Sequence, residues 1–473
     1  MKKRAVIAAV ASLAILVAGP AVAKRKTYSH QKYFEHYEGT RTCLKCHKKS
    51  AREVFHSQHY QWKAQAPNVV DAHGKEWGKI NTINDYCTNP KPVWKHEYTN
   101  KDGKVVEEGC SKCHAGFGKM PSKKLTDAEL ENIDCLICHA HGYRRALYEN
   151  EDGSLEWKPI LWKNQVGLDS VSKRITKPNR TMCLRCHSGS GGGPNFKRGD
   201  LEYELTSCDS EFDVHMAKDG NDFQCIDCHA GEDHRIPGSG VDIAGDEMPS
   251  KNILCDNDDC HGAEPHGNEI LDRHTKRVFC TVCHIPTFAK KDATNMVRDW
   301  SNGHYSEEKG KWTYTAEFKK DVTPAYTWWN GKQVQIQLPG EAVKKNDDGE
   351  IMMAVPVGSK DDPDSRIFAF KLYHAVMPVQ EGTNWLLPIE TGHFYITGDM
   401  DTAVRNAAQQ FYGIENAQFT WSRTIRYQGL FHEVQPAKNA LSCLDCHGNG
   451  GRLDWKALGY DADPLLTMMR AAH

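Results

Sequence analysis

Hydrophobic positions in this chain follow a clear period in only a few places. At the N-terminus, Lys2, Lys3 and Arg4 precede an apolar run from Ala5 to Ala18, and Gly19-Pro20 breaks the run before the small residues Ala21-Val22-Ala23. The run is short for a membrane span, and the order charged, apolar, small is that of an export signal cleaved after Ala23. No later stretch is long and apolar enough to cross a bilayer. Between residues 285 and 442, "WTYTAEF" at 312–318 and "KQVQIQLPG" at 332–340 alternate as short strands do. "DMDTAVRNAAQQFYG" at 399–413 opens on Asp, repeats apolar residues at helical spacing and closes on Gly, which predicts a helix. "GSGGGPN" at 189–195 reads as a flexible loop.

Composition changes the picture. Hydrophobic residues make up 39% of the chain and mean hydropathy is −0.65, which is lean for 473 residues. Something besides aliphatic side chains must fill the core. A net charge of −2 leaves no cationic excess to neutralise a phosphate backbone, which excludes a nucleic-acid partner.

The 18 cysteines and 24 histidines supply the missing core. Seven pentapeptides have the form CxxCH, with cysteines and histidine at Cys43, Cys46, His47; Cys110, Cys113, His114; Cys135, Cys138, His139; Cys183, Cys186, His187; Cys225, Cys228, His229; Cys280, Cys283, His284; and Cys443, Cys446, His447. Chance would give about 0.03 such pentapeptides. Disulfide frameworks and zinc sites have no need of a histidine directly after the second cysteine. Covalent c-type haem does: two thioethers hold the porphyrin edge and the adjacent imidazole ligates iron. "CDNDDCH" at 255–261 keeps the Cys-His dipeptide and lengthens only the loop, so Cys255, Cys260 and His261 read as an eighth site. Haem c is therefore the implied cofactor, eight per chain, and porphyrin faces form much of the core. The fold class that follows is mainly α with small β pieces, a compact multihaem cytochrome c fold.

Sixteen histidines lie outside the motifs. Candidate distal iron ligands are His59, His215, His234, His266 and His274 near the motifs, and His374, His393 and His432 from the haem-poor stretch. His30, His36 and His473 lie near the chain ends and read as solvent-exposed. The organisation is then a cleaved signal at 1–23, a haem-dense region at 24–284 with seven sites, a capping region at 285–442 that supplies distal ligands, and a last site with a tail at 443–473. Cys87 and Cys208 stay outside the motifs. They read as a disulfide, as buried inert thiols, or, for Cys87, as a reactive group beside a haem.

The chain resembles the exported octahaem cytochromes of the octahaem tetrathionate reductase type, relatives of pentahaem nitrite reductase and hydroxylamine oxidoreductase. The resemblance rests on the eight sites together with "INDYCTNP" at 83–90, "ENIDCLICH" at 131–139, "GGGPNFKRGDL" at 191–201, "DVHM" at 213–216, "VFCTVCHIPTFAK" at 278–290 and "CLDCHGNGGRLDWKALGY" at 443–460. It implies that the second haem is the reaction centre, with a lysine amine as distal ligand and a cysteine, here Cys87, nearby. Lys163 sits among Ile160, Leu161 and Trp162, a setting that favours a neutral amine; Lys158, Lys173 and Lys177 are alternatives. Ile160 fills the place of the family's acidic residue, with Glu156 or Asp169 as substitutes.

The function implied is a periplasmic multihaem oxidoreductase that reduces tetrathionate, nitrite or hydroxylamine at one lysine-ligated haem. Its substrate is a small inorganic anion or hydroxylamine, and its electron donor a redox protein or a quinol-linked partner, without a membrane anchor. A closed electron-transfer conduit and a hydroxylamine-oxidising enzyme are the alternative readings.

Overall fold

The computed structural model describes residues 27–471 apart from 100, 101, 104, 161–166 and 239. The export signal expected at 1–23 and Lys163 lie outside the described residues. Among the described residues no helix is long and apolar enough to cross a membrane.

Up to the seventh motif the chain is built from short pieces. The helix α1 (Thr40–His56) carries the first motif and departs from helical geometry at the motif histidine, where His47 has φ −111° and ψ 30°. The helix α2 (Arg180–His187) carries the fourth and is capped by Asn179, whose side chain accepts from the Met182 amide. Other motif helices are a single turn, as at Leu136–His139 and Cys225–Cys228. Aliphatic clusters here are small, for example Leu184, Leu205, Cys208 and Met216. They surround a connected cavity of about 2900 Å3, lined by residues of seven of the eight motifs. The shortage of aliphatic residues thus corresponds to space shaped for something else.

From residue 294 onward the chain makes its own core, and here the expectation of a mainly α fold needs correction. The largest element is a seven-stranded sheet: β1 (Thr294–Ser306), β2 (Lys311–Lys319), β3 (Ala325–Trp329), β4 (Val334–Ile336), β5 (Ile351–Pro356), β6 (Arg366–Gln380) and β7 (Phe419–Gly429). The order is β2-β1-β6-β7-β5-β4, with β3 also on β6. Strand β6 runs antiparallel to β7 from Phe370↔Gly429 to Gln380↔Phe419 and parallel to β1 at His374↔Val297. Its Phe368 and Phe370 pack on one side, with Phe279 and Trp329, while Ile367 and Ala369 pack on the other. A strand buried on both faces loses the polar–apolar alternation by which a strand is recognised, so "RIFAFKLYHAVMPVQ" carries no clear strand period. The two strands expected from alternation, 312–318 and 332–340, correspond to β2 and β4.

The expected helix at 399–413 is α3 (Met400–Tyr412), capped by the Asp399 carboxylate on the Thr402 amide and closed by Gly413 at φ 73°. Its buried Ala403, Val404 and Ala408 lie against the sheet. The sheet joins the haem-dense part at the seventh motif. The Phe279 amide donates to Ile367 O (2.9 Å), the Ile367 amide to Arg277 O (2.8 Å), and Phe279 stacks on Phe368 at 4.3 Å.

Candidate functional site

Seven of the eight motif histidines face a second histidine. The pairs, with ring-centroid separations, are His47–His30 (6.1 Å), His139–His234 (6.3 Å), His187–His59 (6.2 Å), His229–His432 (6.3 Å), His261–His215 (6.0 Å), His284–His266 (6.3 Å) and His447–His274 (6.3 Å). A metal–imidazole bond is about 2 Å and the ring centroid lies about 1.1 Å behind the nitrogen, so two rings on one iron stand about 6.2 Å apart. The spacing fits haem iron between each pair. Nδ1 hydrogen bonds orient several of these rings: His139 to Thr176 O (3.0 Å), His229 to Pro237 O (2.8 Å) and His274 to Ile270 O (2.8 Å). Each bond keeps Nδ1 occupied and leaves Nε2 free for the iron.

Six of the eight expected distal histidines are thus brought to a motif, and two are not. His374, on β6, holds Glu350 (3.0 Å), which Arg423 shares (3.1 Å). His393, in the short helix α4 (Thr391–Thr397), faces the Asp399 carboxylate instead. This differs from the expectation for both: strand pairing and helix packing hold them on the sheet side, and neither ring faces a motif histidine among the described residues. The capping stretch therefore contributes His432 alone among the described pairs. His30, expected to be exposed, takes the place facing His47. His36 is exposed and bonds Asp169 (2.9 Å).

The second motif is different. The His114 ring is fully buried between Tyr60 (4.9 Å), Trp94 (5.0 Å) and Trp62 (5.7 Å). Its Nε2 lies 2.7 Å from Tyr60 O, and its Nδ1 is buried without a partner. Burial pushes its pKa down to about 4. A carbonyl accepts a hydrogen bond, so Nε2 carries the proton in this arrangement. His114 is also the motif histidine absent from the cavity lining among the first seven motifs. Gly116 makes room for the turned ring, because a Cβ there would stand 2.9 Å from His114 Cε1. Arg145 ties the motif loop down by donating to the carbonyls of Gly116 (2.5 Å), Ser111 (3.2 Å) and His114 (2.5 Å) and pairing with Asp134 (3.1 Å).

Cys87 lies beside this motif. Burial pushes the Cys110 thiol up to about 12; Lys79 opposes the rise and the neighbouring Cys87 adds to it. The sheet fixes the Cys87 loop. Asp85 pairs with Arg426 of β7 (2.8 Å) and accepts from Thr424 (3.2 Å), while its carbonyl receives Trp300 Nε1 (3.0 Å) and the Tyr373 hydroxyl (3.2 Å). Tyr86 stacks on Tyr373 at 3.7 Å, and the Thr88 hydroxyl donates to Ile389 O (2.8 Å). Cys87 and Cys208 sit in different clusters and form no disulfide with each other.

The cavity wall near Cys87 is cationic. Lys79, Lys197, Arg298 and Arg426 line it, with His96, Tyr395 and Asp242. Arg298 is buried, stands over the Tyr314 ring at 3.9 Å, and donates to Gly191 O (2.9 Å) and the Tyr86 carbonyl. Burial lowers the Lys197 pKa, and Asp242 at 3.3 Å opposes that. A chain of charge runs on from Asp242 to Arg198 (3.0 Å), Asp200 (3.2 Å) and the Nδ1 of His432 (3.1 Å). Among these residues, Lys197, Arg198 and Asp200 lie within the "GGGPNFKRGDL" stretch. Nothing local in the sequence marks Asp242, Arg298, Tyr395 or His96, which reach the cavity through long-range packing.

Of the lysine candidates, Lys158 bonds Asn150 (2.8 Å) and Glu156 (3.4 Å) on the surface and Lys173 bonds Glu35 O (2.6 Å), whereas Lys177 lines the cavity. The described chain stops at Ile160, opposite Arg144 in a hairpin whose Trp157 Nε1 holds Ser111 of the second motif (2.9 Å). Lys163 follows three residues later in sequence.

Anchor cysteines of different motifs meet. The Cys43 thiol lies against Cys135, Cys113 against Cys186, Cys183 against Cys225, and Cys255 against Cys280. Cys138 lies near Cys186, Cys228 near Cys260, and Cys283 near Cys446. The sites are therefore ordered first–third–fourth–fifth–sixth–seventh–eighth, with the second joined to the fourth.

Paired imidazoles over Cys-His motifs, set around a common cavity, define a c-type multihaem cytochrome. The model of the bacterial cytochrome c family matches residues 280–450. An uncharacterised protein of Archaeoglobus fulgidus is 33% identical over 255 residues, which are 46% of this chain and 83% of that protein. The crystal structure of octahaem cytochrome c from Shewanella oneidensis superimposes with a TM-score of 0.74 at 27% identity, covering 90% of this chain and 94% of that one. The chain belongs to the octahaem c-type cytochrome family.

Proposed function

We propose that this protein is an exported, periplasmic reductase carrying eight covalent haems, in which seven histidine-paired sites feed electrons to the second. One asymmetry carries the reading: seven motif histidines face a partner, and the eighth is turned away and hydrogen-bonded to a backbone carbonyl. When bound, haem c supplies reversible one-electron chemistry at iron. Lys163 would supply the distal ligand that no second histidine provides opposite His114, and Cys87 stands beside the same motif for substrate. Lys79, Lys197 and Arg298 attract a small anion into a buried space where their charges act at low dielectric.

The thiol favours tetrathionate, with nitrite and hydroxylamine as alternative substrates. The Cys87 thiolate attacks a sulfur of the central S–S bond, a Cys–S bond forms and one thiosulfate leaves. Two electrons then return the cysteine to thiolate and release the second thiosulfate. Tyr395 and His96 border the same space and can deliver the protons that nitrogen oxyanions need. The electron donor is a redox protein or a quinol-linked partner.

The test is titration of the oxidised holoprotein with cyanide and with nitrite, followed by absorption and electron paramagnetic resonance. One haem of the eight is expected to change while seven keep low-spin spectra. Ligand binding at none would make the protein a closed electron conduit and overturn the reading.

A further inference from the structure

The histidine pairs differ in what holds Nδ1. At the third site His234 bonds Glu53 (2.9 Å), at the fifth His432 bonds Asp200 (3.1 Å), at the seventh His266 bonds Asp272 (3.0 Å), and at the eighth His447 bonds Asp463 (2.7 Å). At the first site His30 has a backbone carbonyl, Tyr28 O (3.2 Å). At the fourth, neither His187 nor His59 has a side-chain hydrogen bond to any described residue. The sixth pair also lacks one, but its own loop carries Asp256, Asp258 and Asp259.

The fourth site has a cation where those four have a carboxylate. Arg185 lies inside its motif and makes no ion pair with a described residue, whereas Arg145 and Arg198, also nearby, are held by Asp134 and by Asp200 and Asp242. This site also holds the junction, because Cys186 meets Cys113 of the second motif while Cys183 meets Cys225 of the fifth. A carboxylate on Nδ1–H makes an imidazole a stronger donor and places negative charge by the metal, so both effects favour the oxidised iron. A guanidinium favours the reduced iron.

We propose that the fourth haem site is the high-potential relay that passes electrons to the second, and that Glu53, Asp200, Asp272 and Asp463 are positioning residues that hold four other sites at lower potential. Electrons arriving at either end of the wire then run towards the junction. Only the direction of delivery rests on the proposed role of the second site. The potentials are measured without substrate, so failure here leaves that role testable separately by ligand binding.

The experiment is a stepwise spectroelectrochemical titration of the holoprotein, with low-spin signals followed by electron paramagnetic resonance and haem loading checked by mass. Arg185→Gln should make the first low-spin component to be reduced about tenfold harder to reduce at a given poise, which is about 59 mV for one electron. Glu53→Gln should make one of the later components easier to reduce by a similar factor and leave the first unmoved. Asp463→Asn, on the other arm, repeats that test if the Glu53 variant loads haem poorly. An unmoved first component in Arg185→Gln overturns the proposal, as does movement of the first component in either carboxamide variant.

Discussion

Replacing Asp85 by Asn tests whether the sheet exists to hold Cys87. Asp85 and Arg426 form a pair at 2.8 Å with side chains 0% and 5% exposed. Asn keeps the shape and removes the charge, so the cost is that of leaving a guanidinium buried without its partner. Breaking such pairs costs about 3–5 kcal/mol. Asp242 also acts on Arg426 and relieves part of this, which places the expectation near the lower end, at about 3 kcal/mol, or roughly two powers of ten in the population of the opened loop. If the anchor cysteines are thioethers, Cys87 and Cys208 are the only thiols left to alkylate. Iodoacetamide labelling read by peptide mass, under conditions where reclosing outruns labelling, reports the opening equilibrium. Cys87 should label about a hundredfold faster in Asp85→Asn, with Cys208 unchanged as the internal reference, and the urea midpoint should fall. Unchanged Cys87 labelling together with an unchanged midpoint would refute the reasoning.

Four further outcomes are expected. His30→Ala should convert one low-spin haem to high-spin, whereas His374→Ala and His393→Ala should leave every haem spectrum as it is; the reverse pattern would restore the sequence-based assignment. Cys87→Ser should lower tetrathionate reduction much more than nitrite or hydroxylamine reduction at unchanged haem content, and equal losses on all three would mark a purely structural residue. Replacing Cys255 and Cys260 together by Ala should remove one haem from the denatured mass; a mass still carrying eight would exclude the long-loop site. Burial raises the Asp242 pKa, but Lys197 and Arg198 outweigh it and hold the carboxyl below its ordinary value. Its stabilising contribution is therefore complete above about pH 4 and drains away as the pH falls further. Asp242→Asn should lose less of its urea midpoint than the parent between pH 6 and pH 3, and identical losses would count against the pairing.

The chemistry of attachment was legible residue by residue, because two thioethers and one imidazole are supplied by neighbours in sequence. No fold is needed to recognise "CLKCH", and the long-loop "CDNDDCH" follows from the other seven. The helix at Met400–Tyr412 was equally legible, since its cap, period and closing glycine are local. Pairing across the iron was not. His229 meets His432 across some two hundred residues, and the sequence offered His374 and His393 on the same grounds as His432. Only β6 and the packing of α4 decide that those two stay with the sheet, just as only the chain's return at its N-terminus brings His30 to His47. The sheet itself was under-read for a related reason: strand β6, buried on both faces, keeps no alternation to betray it. His114 shows the limit most clearly. Its motif is identical in form to the six other CxxCH sites, yet Tyr60, Trp62, Trp94 and the space left by Gly116 turn its Nε2 onto a carbonyl. Local covalent pattern determined where haem attaches. Which histidines face one another, which motif histidine faces none among the described residues and where Cys87 stands are long-range contacts, and the tertiary structure alone decided them, because each depends on side chains brought together by the packing of segments far apart in the chain.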